Sequence, residues 1–78
     1  MYHDYRQEPI TSDAACEQYR AYLAKIEAMI AAQEDVVVGA RANGDVHDLA
    51  RARSSLWRLL TKRQGVFDAI QAYARTQG

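Results

Sequence analysis

Seventy-eight residues make one domain at most, and so short a chain buries a smaller fraction of its surface than a large domain does. A single cysteine, Cys16, excludes an internal disulfide, His3 and His47 lie too far apart for zinc-site spacing, and no apolar run is long enough to span a bilayer. Formal net charge is zero but unevenly placed: residues 1–48 carry nine acids against four bases, or −5, and residues 49–78 carry six bases against one acid, or +5.

Opposite halves attract when a chain folds back on itself, and the same split suits head-to-tail association between copies. Small scaffolds lacking disulfides and metals are held by regular helix packing or by an oligomeric interface. Lone cysteine usage fits a reducing compartment, and the polar stretch from Met1 to Glu8 is unlike a signal peptide. The expected location is cytoplasmic, or inside a virion or other macromolecular assembly.

Residues 1–11 read as a flexible N-terminal arm and residues 12–78 as a helical hairpin domain. Pro9 blocks helix continuation, and Thr11, Ser12 and Asp13 are all good helix N-caps. Tyr2, His3, Tyr5 and Ile10 give the arm side chains that could dock on a partner and order on binding.

A heptad pattern then runs to residue 42. Its seam is Cys16, Tyr19, Leu23, Ile26, Ile30, Gln33, Val37 and Ala40, at alternating spacings of three and four. Beside it Tyr22, Met29 and Val36 repeat every seven residues; on the other flank Arg20, Glu27, Glu34 and Arg41 are all charged. Asn43-Gly44 is a stop, because both residues tolerate the left-handed conformation that ends many helices. Asp45 can cap a second helix, with Asp48 in its first turn at the positive end of the dipole.

The second seam reads Val46, Leu49, Arg53, Leu56, Leu60, Arg63, Phe67, Ile70 and Ala74, flanked at sevens by Ala52, Leu59, Val66 and Tyr73. Two alternatives stay open. Asp35-Val36-Val37-Val38-Gly39 with Asn43-Gly44 is also a β-hairpin signal over residues 36–46, and Gly65 could break the second helix. With the turn at 43–44, partners across the hairpin have numbers adding to about 87, which brings Arg53 and Arg63 toward Glu34 and Glu27.

Each helix thus carries an apolar face wider than a two-helix seam needs. Tyr22, Met29, Val36, Leu59, Val66 and Tyr73 are the expected surplus surface, a stripe for self-association or for another helical chain, with Trp57 as an anchor beside it. Arg51, Arg58 and Lys62 share one outer side of the second helix and form a candidate phosphate-binding patch, the basis of an alternative reading as a nucleic-acid-associated regulator. No glycine-rich phosphate loop, nucleophile motif or metal-ligand cluster occurs, so no enzyme, cofactor or metal is expected.

Three resemblances bear on function. Leu49-Ala50-Arg51 followed by Leu56, Leu59-Leu60, Arg63, Val66 and Ile70 resembles the first helix of the helical chorismate mutases, which implies a small helical enzyme as a remote alternative. Asp48-Leu49-Ala50-Arg51 after a glycine-containing connection is similar to small phage head–tail joining proteins over residues 23–63, and helical secretion-apparatus subunits share the hairpin outline. These last groups imply a structural or assembly subunit. The sequence therefore predicts an all-α antiparallel hairpin that joins a larger helical bundle on association, as a homo-oligomer or with a protein partner.

Overall fold

The computed structural model describes residues 9–77. Two helices make up the domain: α1, Asp13–Asn43, and α2, Val46–Gln77, of 31 and 32 residues. They pack side by side as an antiparallel hairpin, and no strand occurs among the described residues. The β-hairpin alternative is not realised, because α1 continues through Val36, Val37 and Val38. Seam burial of Val37 and Ala40 outweighs the strand preference of the valines. Nor does Gly65 interrupt α2, although it costs about 1 kcal/mol against alanine in a helix interior; the packed neighbours Val66 and Ile70 hold the helix through it.

Each end has a chemical cause. The Ser12 hydroxyl accepts from the Ala15 N–H at 3.1 Å, so Ser12 is the N-cap of α1. At the far end Gly44 takes φ 69°, which only glycine adopts without cost. The Gly44 N–H donates to the Arg41 carbonyl at 3.2 Å and the Asp45 N–H to the Ala40 carbonyl at 3.1 Å, the paired bonds of a Schellman stop. Asp45 immediately restarts the chain, its Oδ1 accepting from the Asp48 N–H at 3.0 Å. So short a connection forces the helices together, and the buried residues nearest it are small, Ala40 and Ala52.

Further from the turn the core is larger: Ile26, Ile30, Cys16, Val66 and Ile70, with Leu23, Leu56, Leu59 and Tyr73 packed around them. All eight α1 seam residues named from the sequence are buried or half-buried. The α2 seam needs correction. Leu49, Leu56, Leu60, Arg63 and Ile70 do face inward, but the rest of the interface is Ala52, Leu59, Val66 and Tyr73, not Arg53, Phe67 and Ala74. Val66 is wholly enclosed, whereas Phe67 is 45% exposed and Val46 74%. Arg53 explains the choice: rolling α2 toward the other edge would put a guanidinium against α1 with no buried partner.

Register agrees with the expected pairing to within a residue or two. Gln33, in the α1 seam, donates its amide to the Ala52 carbonyl at 3.4 Å, and the Tyr73 hydroxyl donates to the Asp13 carboxylate. The expected arginine–glutamate pairs are absent: the one ion pair among the described residues is Arg51–Asp48, within α2. Glu27 and Arg63 only line the same shallow depression, with Leu23, Gln64 and Phe67.

A further correction concerns the arm. Ile10 is 9% exposed and belongs to the core cluster, so the chain is already docked on its own hairpin two residues before the cap. Pro9 and Ile10 sit beside Gly65, Ala69, Ala72 and Tyr73 on one edge of α2. The expected docking residues Tyr2, His3 and Tyr5 lie outside the described residues.

Candidate protein-interaction surface

Read at heptad spacing, α1 carries charge on every residue of a single column: Asp13, Arg20, Glu27, Glu34 and Arg41. The other columns are largely apolar or small, including an outward row of Ala14, Ala21, Ala28 and Ala42 interrupted by Asp35. A helix apolar around most of its circumference is normally covered on more than one side. Here α2 covers only the seam. The molecule's shortest dimension is 16 Å, little more than one helix diameter of ~10–12 Å, so among the described residues no second layer lies over either face.

Of the surplus stripe, the α1 half is where the sequence placed it. Tyr22 is 42% exposed, Met29 54% and Val36 52%. Leu59, Val66 and Tyr73 are a correction, since they form the inner edge of α2 and are half-buried or enclosed. Trp57, 69% exposed, stands on the outside of α2. The remaining exposed apolar residues fall on opposite faces. Val36 and Gly39 share a depression with Asp48, Arg51 and Ser55, while Phe67 shares one with Glu27 and Arg63. The α1 stripe and the α2 rim therefore do not form one continuous patch.

Three residues of this surface were not singled out from the sequence. Lys25, Ala32 and Gly39 lie beside the stripe and interleave with it, giving Tyr22, Lys25, Met29, Ala32, Val36 and Gly39 at spacings of three and four. All six are exposed. The signal was present in the sequence, but a lysine, an alanine and a glycine do not register as apolar, so only every second member was visible.

The basic patch is partly assembled. Arg51 and Arg58 line one depression with Ala50, Ser54 and Ser55, and Lys62 is exposed one turn further on. Arg51, however, bonds Asp48 at 2.6 Å, which neutralises it locally. His47 is exposed at the start of α2.

At the end opposite the turn, the Tyr73 pKa is pushed up to about 12, first by its hydrogen bond to Asp13 and then by desolvation and the nearby carboxylate charge. At the turn, the Asp45 carboxyl is held below its usual value chiefly by the Asp48 N–H it accepts. Both contacts fix helix ends. Among the described residues no group of His, Cys, Asp and Glu could hold a metal ion, and no helix is long and apolar enough to cross a membrane. No protein-family model matches the chain, and neither a curated protein nor a solved structure is detectably similar to it.

Proposed function

We propose that this chain is a non-enzymatic protein-interaction or assembly subunit, working by burial of the α1 stripe Tyr22–Met29–Val36 against another helix. The observation that carries it is the exposure of three large apolar side chains at heptad spacing on a helix whose adjacent seam already packs on α2. Tyrosine and methionine are enriched at interfaces, and a covered stripe adds buried area to a domain too thin to bury much alone. A component of a larger assembly, such as a virion or secretion apparatus, is the setting the sequence resemblances suggest.

The test pairs light scattering across concentration with affinity capture from the native cell, using the wild-type chain and a Tyr22→Glu/Met29→Glu variant. Far-UV circular dichroism checks that the variant keeps its helices. Association lost in the variant supports the reading. Association unchanged in the variant, or none by either method, overturns it. The alternative, phosphate binding through Arg51, Arg58 and Lys62, draws on the shared depression but is weakened by the Arg51–Asp48 pair. Electrophoretic shift of DNA or RNA at low salt would support it.

A further inference from the structure

We infer that the occupant of the α1 stripe is a second copy of this chain, docked antiparallel through α1 with a two-fold axis between the levels of Met29 and Ala32. This rests on the interaction reading above and names its partner. Tyr22, Lys25, Met29, Ala32, Val36 and Gly39 form a second heptad seam, turned away from the first and exposed throughout.

In an antiparallel pair the two kinds of seam position meet across the interface. Running the second copy the other way sets Tyr22 opposite Gly39, Lys25 opposite Val36 and Met29 opposite Ala32, then the same three layers in reverse. The largest residue faces the smallest, and the bulk of the layers is evened out along the seam. A seam that is its own complement under a half-turn is what an isologous dimer requires.

Gly39 is the independent observation. It lies in the interior of α1, where glycine is the least favourable residue short of proline. A β-carbon built there meets nothing within 4 Å, so packing inside the hairpin does not call for glycine. Its backbone is open to solvent, and a Tyr22 ring from the second copy would lie directly upon it.

Charge points to the same partner. Neither Lys25 nor Asp35 makes an ion pair or hydrogen bond among the described residues. Asp35 adjoins Val36, so the layer that sets Lys25 opposite Val36 also sets it beside the partner's Asp35, and the two-fold axis makes that pair twice. The stem of Lys25 can lie along Val36 with its ammonium at the edge. The α2 rim of another copy fits less well, because Arg53 and Arg63 lie on the same side as Phe67 there and would repel Lys25. The layers span about 26 Å of helix at 1.5 Å per residue. That is a small interface, and its dissociation constant is expected in the micromolar range.

The experiment is sedimentation equilibrium of the full chain with Lys25→Glu, Asp35→Lys, the double exchange, and Gly39→Leu, each checked for helicity. Each single charge reversal is expected to weaken the dimer by about tenfold, since two attractions become repulsions. The double exchange is expected to restore it. Gly39→Leu is expected to raise monomer helicity and thermal stability while weakening the dimer. A dimer indifferent to Gly39→Leu and to both reversals overturns the proposal, as does a chain that stays monomeric to ~1 mM. If that monomer still captures a partner through Tyr22 and Met29, the interaction reading survives and only the second copy is excluded. A dimer that also survives Tyr22→Glu/Met29→Glu removes both.

Discussion

Tyr22, Met29 and Val36 on α1 and Ala52, Leu59, Val66 and Tyr73 on α2 are the same feature in sequence, an apolar column at sevens beside a heptad seam. Their fates are opposite. The α1 column lies open, while the α2 column is the inner edge of the interface, with Val66 fully enclosed. Periodicity states how wide an apolar face is; it does not state which edge turns toward the neighbour. That is decided by the competing edge. On α1 the far edge is all charged, so the seam cannot roll that way. On α2 the far edge contains Arg53, and rolling toward it would bury a guanidinium.

The comparison can be broken most directly at its two valines. Val66→Ala is expected to cost about 2 kcal/mol in urea unfolding, from lost burial plus the cavity left behind. Val36→Ala, at the matching place on α1, should stay within about 0.5 kcal/mol in the monomer. Equal effects would mean that the two columns are not differently placed. Ile10→Ala probes the strap over the α2 edge and should also cost about 2 kcal/mol, because Ile10 belongs to the same core. A negligible effect would show that residues 9–11 are not docked.

Gly65→Ala sharpens the contrast from the other direction. A β-carbon there meets nothing within 4 Å, so alanine should stabilise the hairpin by about 1 kcal/mol in the same unfolding assay. The smallest effect is alkaline. The Tyr73 pKa is raised by its bond to Asp13, so that bond's contribution is complete below the free tyrosine value near 10 and fades as pH climbs through about 12. Unfolding monitored between those values should show a loss of stability that Tyr73→Phe removes.

How much of this was legible beforehand follows the same logic. The start of α1, the Asn43-Gly44 stop, the Asp45 cap and the whole α1 seam could be read because each depends on local chemistry or on one strong periodicity. The α2 edge could not, because Phe67 looks as buriable as Val66 until Arg53 is weighed as a buried cost. Ile10 was missed for a different reason: a lone apolar residue before a cap has no period to reveal it. On the candidate surface the large members of the stripe were visible, and the small ones that complete the seam, Ala32 and Gly39, were not.

The link between the helices has a topological consequence. Only Gly44 and Asp45 separate two helices of nearly equal length. A change that let both adopt helical angles would straighten the hairpin into one rod from Asp13 to Gln77. Such a rod could hide its first seam only by trading arms with another opened chain. The left-handed glycine is thus the point at which this protein commits to folding upon itself.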